Sequence, residues 1–294
     1  RSTSYEHQGL VLLQRDALGR SSLRVTTAWG DLARTIDAAG GNTRYRHDAA
    51  GRLTEVVDAY GAIVSSVSYN PRGMKAAQTD MDLGAWTFTH NALGELVEQR
   101  DAKGQTVRYA YDLLSRPVSR SEAEGVTAWT WGTPASSTPA SRVAGRLLQV
   151  AGPGHAEHYG YDGLSRLVRR TIVADASYEY AFSYDSAGRP AWMSYPASAG
   201  GYRLKLGYEY ANGRLSRIRD FNAPASTFWR LGATDAAGRV LDETRGSLRV
   251  VTGSHPVTGD VEYRQAGMGG GAAVQDLAWR WDPVGNMTER SDLQ

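Results

Sequence analysis

The chain has 294 residues with 33 Lys and Arg against 31 Asp and Glu, and it contains no cysteine. A net charge of +2, with arginines scattered rather than clustered, argues against a dedicated nucleic-acid binder, and the lack of cysteine excludes a disulfide scaffold or a thiol catalyst. No apolar run approaches the roughly 18 residues needed to span a membrane, and 33 glycines, 16 tyrosines and 8 tryptophans describe a turn-rich, aromatic all-β protein.

Along the chain an aromatic residue followed by Asp or Asn recurs in phase. His47-Asp48, Tyr69-Asn70, His90-Asn91 and Tyr111-Asp112 lie 22, 21 and 21 residues apart. Between them runs a second acidic series, Asp37, Asp58, Asp80, Asp101 and Glu122. Further on stand Tyr161-Asp162, Tyr184-Asp185 and Trp281-Asp282. Most copies place glycine three residues after the acid: Gly51, Gly73, Gly94, Gly188 and Gly285, with Ser115 and Ser165 in two others. A type I turn favours Asp or Asn first, where the side chain accepts backbone N–H groups, and Gly fourth, where φ turns positive. The acidic residue therefore has a local structural role.

Between turns the sequence alternates. Val107, Tyr109 and Tyr111 share one face, as do Tyr178, Tyr180, Phe182 and Tyr184, and Leu277, Trp279 and Trp281. Period-two alternation over such short segments predicts half-buried strands. No capped 3.6-residue pattern predicts a helix. The unit of strand, tight turn, strand, tight turn predicts an antiparallel hairpin meander of roughly 20 to 26 strands that curls, because strands twist. Segments 132–145, 196–202 and 264–274 interrupt the period and read as loops on a single repeat segment, 1–294. The first residue is Arg rather than Met, so the chain reads as a piece of a longer polypeptide, with targeting information outside it.

These residues resemble the YD repeats of RHS-repeat proteins, a family that includes bacterial Rhs polymorphic toxins, the shell components of Tc toxins and the teneurins. The family pattern of aromatic, Asp, two variable residues, Gly, Arg and an aliphatic matches at His47-Asp48-Ala49-Ala50-Gly51-Arg52-Leu53, and through its arginine at Tyr184-Asp185-Ser186-Ala187-Gly188-Arg189. The resemblance spans roughly residues 5 to 292. It implies a sheet spiralling into a hollow cocoon and a non-enzymatic role: enclosing a toxic C-terminal polypeptide for delivery by an exported toxin system. It also implies partners, namely flanking repeats or a second shell chain, the enclosed toxin, and a secretion or translocation component. Asp282-Pro283-Val284-Gly285 approaches the family's autoproteolytic signature, but Asn286 stands where that signature has leucine, so it reads as an ordinary repeat. The alternatives are a surface-adhesion or carbohydrate-binding module and, third, part of a self-cleaving aspartyl autoprotease shell.

The other candidates favour structure over chemistry. His155 and His158, three apart in a strand, would face opposite sides, and no third ligand accompanies them. Asp80 and Asp82 have the residue types of a glycosidase pair, but the repeat phase explains Asp80 as a turn residue. No Gly-x-Ser-x-Gly occurs, and the glycine-rich segment near residue 270 lacks the Lys of a phosphate loop. No catalytic, metal or cofactor residue is expected. The arginines after the turn glycine (Arg20, Arg52, Arg189, Arg214, Arg239) are expected to pair with acids on neighbouring repeats, or to form a basic row facing cargo or glycan. The tyrosine rows are expected to be cross-strand aromatic ladders, with sugar stacking as the other reading.

Overall fold

The structure is a computed structural model and describes residues 3–269 and 271–293. Among these, regular structure is 26 β-strands and one 3-10 turn, Pro134–Ser136, inside the first predicted loop. The fold is all-β, as the alternation predicts. The chain packs as two units, Arg1–Ala128 and Trp129–Gln294.

The first unit runs from β1 (Ser4–Gln8) into β13 (Gly125–Trp131), and each strand pairs antiparallel with the next. The second unit continues the pattern from β14 (Leu147–Gly152) to β26 (Met287–Asp292). Among the described residues, elements touch only their neighbours in sequence, so no second layer covers the sheet within either unit. A sheet without a covering layer cannot form a closed core. Accordingly Val57, Val250 and Leu277 are buried, but no large side chain among the described residues is fully enclosed. The accessible surface is 18171 Å², about half as much again as the roughly 12,000 Å² of a compact monomer of this size.

Two predicted loops take different bounds. β24 (Val261–Met268) extends through half of the predicted 264–274 loop, because Arg264 to Met268 stay hydrogen-bonded to β23 (Leu248–Ser254). Small residues such as Ala266 and Gly267 suit this buried stretch. Gly270 lies outside the described residues. The 196–202 break widens to the connection between β18 (Pro190–Ser194) and β19 (Lys205–Ala211).

Candidate functional site: stitched turns and an aromatic groove

Each repeat turn is a five-residue closure. At Asp48 the backbone N–H of Gly51 donates to the Asp48 carbonyl (3.0 Å), and Asp48 N–H donates to the Arg52 carbonyl (2.9 Å). The Asp48 Oδ1 accepts the N–H groups of Ala50 (2.9 Å) and Arg52 (3.0 Å). The same pair of caps recurs at Asp112, Asp162 and Asp185. It also recurs at Asn70 and Asn91, whose amide oxygens serve equally. Gly51, Gly73, Gly94, Gly188 and Gly285 hold φ between 76° and 97°, and Ser115 and Ser165 take the same left-handed conformation at 58° and 59°. A type I turn followed by a left-handed residue ends in a bulge. The register shifts beside His47, Tyr69, Tyr111, Tyr161, Tyr184 and Trp281 are those bulges, a feature the repeat spacing does not reveal.

The arginines do not pair with acids on neighbouring repeats. Arg20, Arg52, Arg189 and Arg239 each pair with the aspartate of their own turn, Asp16, Asp48, Asp185 and Asp235. Arg214 follows Asn212-Gly213 instead and donates to Thr234 Oγ1 (3.2 Å). A residue four beyond the turn acid projects from a hairpin end toward its own capping carboxylate, so the local partner wins. The hydrogen bond from Arg52, with the turn N–H groups, holds the Asp48 carboxyl below its ordinary 3.8.

The guanidinium also reaches the next repeat. Arg52 lies 4.8 Å from the Tyr69 ring centroid, Arg166 4.6 Å from Tyr184, and Arg189 4.2 Å from Tyr210. Each tyrosine hydroxyl then donates back to the residue after that arginine: Tyr69 to the Leu53 carbonyl (2.8 Å), Tyr184 to Leu167 (2.8 Å), Tyr210 to Pro190 (2.9 Å). Tyr111 and Tyr161 donate in the same way to Leu96 (2.9 Å) and Leu147 (2.8 Å), and the Trp281 indole to Val261 (2.7 Å). The motif tyrosines thus act as repeat-to-repeat stitches, where the sequence suggests ring-on-ring ladders. Ring pairs do occur elsewhere, as at Tyr180–Tyr195 and Trp192–Phe221.

In the second unit the aromatic positions line a groove of about 350 Å³. Phe182 and Tyr184 of β17 (Ser177–Tyr184), Met193 of β18, Tyr208 and Tyr210 of β19, and Leu215 of β20 (Arg214–Asp220) surround it. The strand pairing places Phe182 opposite Met193, so they share a face. Burial there raises the Tyr208 hydroxyl above its ordinary 10.0. Beside it, the Lys205 ammonium sits between Trp192, which also lines the groove, and Phe221, 3.8 and 3.9 Å from their ring centres.

The remaining candidates are placed as follows. His155 and His158 are exposed on β15 (His155–Tyr161), and no group of three or more potential metal ligands forms among the described residues. Asp80 Oδ1 accepts the N–H groups of Asp82 (3.0 Å) and Leu83 (3.2 Å), which is a turn cap. Asp282 is engaged by its own turn, accepting from Val284 (2.9 Å), Gly285 (2.7 Å) and Asn286 (2.8 Å). No helix among the described residues is long and apolar enough to cross a membrane.

A single-layer antiparallel meander, built from a 21-residue unit and stitched by capped turns, defines a repeat protein. The family model described as RHS Repeat matches residues 27–63 and 90–127, so these stretches carry RHS repeats. No curated protein matches by sequence. Among solved structures, a Photorhabdus luminescens Tc holotoxin pore matches with a TM-score of 0.84 at 15% identity, covering 99% of this chain and 17% of that one. TcdB2-TccC3 matches with a TM-score of 0.84 at 16% identity, and TcdB2-TccC3-Cdc42 with 0.82 at 17%, each over 99% of this chain and 17% of the other. The chain thus spans about a sixth of the length of the chains whose fold it shares.

Proposed function

We propose that the chain is a non-enzymatic wall segment of an RHS-repeat shell that encloses a polypeptide within an exported toxin system. The observation that carries this reading is the uncovered sheet: strands touch only their sequence neighbours, and an aromatic groove lies open on one face. An apolar face without a covering layer calls for an occupant. The shared fold with Tc toxin chains supports an unfolded or partly folded polypeptide as that occupant, with further repeats of the longer polypeptide pairing along the sheet edges. The capped and stitched turns would then act as the mechanical element of the wall. Electron microscopy of the full-length polypeptide tests the reading. A closed particle with internal density supports it. A rod or open sheet without a lumen overturns it and favours a surface-adhesion module.

A further inference from the structure

A pocket of about 400 Å³ lies in the first unit between the 27–31 and 48–52 turns, lined by Trp29, Asp31, Asp48, Ala49, Ala50 and Gly51. Alternate turns of a meander fall on the same edge, so these two are successive turns of one edge, as are the 70–74 and 91–95 turns further along. The two pairs can be compared position by position. In the 70–74 turn the third residue is Arg72, whose guanidinium donates to the Asn91 carbonyl (3.1 Å) and to that of Ala92, bridging to the next turn. In the 27–31 turn the third residue is Trp29, which is 92% exposed. The fifth residue differs as well. Arg52, in the following turn, stacks on the next aromatic, whereas the equivalent residue here is Asp31.

The first pair of turns therefore presents the complement of a guanidinium rather than the guanidinium itself. The Asp31 carboxylate reaches the next turn, where a side chain at Gly51 would meet its Oδ1 at 3.3 Å. It accepts no hydrogen bond among the described residues; only the Asp31 backbone is engaged, its N–H donating to Thr27 Oγ1 (3.2 Å) and its carbonyl accepting from the Thr27 N–H (2.7 Å). The neighbouring Asp48 is already neutralised, its Oδ2 accepting Arg52 Nε at 2.7 Å. The Trp29 indole supplies an exposed π face. The Asp48 and Ala49 carbonyls occupy the positions of the Asn91 and Ala92 carbonyls that receive Arg72. No lysine or arginine lines the pocket.

We propose that this pocket binds the guanidinium of an arginine presented by another polypeptide, with Asp31 as counter-ion, Trp29 as stacking platform and the Asp48 and Ala49 carbonyls as acceptors. A planar guanidinium matches a carboxylate, an aromatic face and paired carbonyls together, which a spherical ammonium does not. The inference is independent of the enclosing role and is read on this chain alone.

The test is an NMR titration of the chain with isotope-labelled indoles, the Trp29 signal being assigned by its loss in Trp29→Phe. N-acetyl-arginine amide should shift the Trp29 indole resonance, whereas the neutral isostere N-acetyl-citrulline amide should not. Asp31→Asn should weaken arginine binding about tenfold, the scale of one charge-assisted contact, and Trp29→Leu, which removes the reporter and is followed by isothermal titration calorimetry, should weaken it without disturbing other tryptophan signals. Asp31→Asn retains the Thr27 turn bond, so unchanged indole signals elsewhere will report an intact fold. A citrulline effect equal to that of arginine, or arginine binding indifferent to both variants, overturns the proposal. Tetramethylammonium binding as tightly as the arginine amide overturns the guanidinium assignment in favour of a small ammonium ligand.

Discussion

Removing the Tyr69 hydroxyl should loosen the joint between two repeats and little else. Tyr69 on β7 (Ile63–Tyr69) donates to the carbonyl of Leu53, the first residue of β6 (Leu53–Val57), at 2.8 Å. Its ring carries the Arg52 guanidinium at 4.8 Å. Tyr69→Phe keeps the ring and leaves one partly buried carbonyl without its donor, a cost of about 1 kcal/mol. Tyr69→Leu also removes the cation–π contact, adding about 0.5 to 1 kcal/mol. A repeat sheet opens locally, so the assay is hydrogen exchange followed by mass spectrometry on peptides spanning residues 53–80. A 1 kcal/mol loss speeds exchange about fivefold there, while peptides from the second unit should be unchanged. Two results would refute the reasoning. If Phe and Leu cost the same, the hydroxyl is not the stitch. If protection falls equally in both units, stability is not built from nearest-neighbour joints.

Ser115 and Ser165 both occupy the left-handed glycine position. Ser115→Gly should raise stability by about 1 kcal/mol, the steric cost it relieves, whereas Ser165→Gly should be near neutral because it loses the hydrogen bond from Ser165 Oγ to the Arg142 carbonyl (2.9 Å); chemical denaturation of the pair measures the contrast. The Asp48, Asp112 and Asp235 carboxyls are held below 3.8, first by the arginine of their own turn. Groups with a depressed folded pKa add stability above the unfolded value and lose it as pH falls through the folded one. The thermal midpoint should therefore be flat from about pH 7 to 5 and fall below about pH 4, and a midpoint unchanged down to about pH 2 contradicts the turn pairing. A side chain at Gly253 would collide with the Tyr263 ring across the β23–β24 pair. Gly253→Ala should cost about 1 to 3 kcal/mol, with partial recovery in the double variant with Tyr263→Ala, as a thermal-unfolding cycle will show.

The strands and capped turns were legible because both rest on local chemistry. Alternation at Val107, Tyr109 and Tyr111 reports a half-buried strand, and Asp48 with Gly51 reports a type I turn, whatever surrounds them. The partner of Arg52 was not legible. Its choice between the Asp48 carboxylate and an acid on another repeat depends on the bulge that directs the chain beside His47, and a bulge adds no recognisable residue type. The tyrosine stitches were hidden for a related reason: Tyr69 binds a backbone carbonyl, and every residue offers one. What sequence comparison does offer is the substitution at the fifth turn position, from Arg52 to Met74 to Glu95. That series marks where the stitch loses its cation, and Asp31 at the same position marks the pocket.

A sheet whose strands touch only their sequence neighbours has an energetic consequence that bears on its use. Each added hairpin unit contributes two ladders, two turns and one stitch, so stability grows by repetition and does not depend on enclosing a core. In a domain with a core, a large apolar side chain on the sheet face is consumed by the opposite layer. Here Phe182 and Tyr208 are not consumed in that way, while Tyr184 and Tyr210 line the groove and also stitch one repeat to the next. Holding the wall together through its turns leaves the face available. That division of labour places adhesion between repeats at the edges, in Asp, Arg and Tyr, and recognition on the surface between them. Substitutions at Phe182, Met193 or Tyr208 in the groove should therefore alter what the wall accommodates well before they unfold it, whereas substitutions at the turns and at the stitching tyrosines should do the reverse.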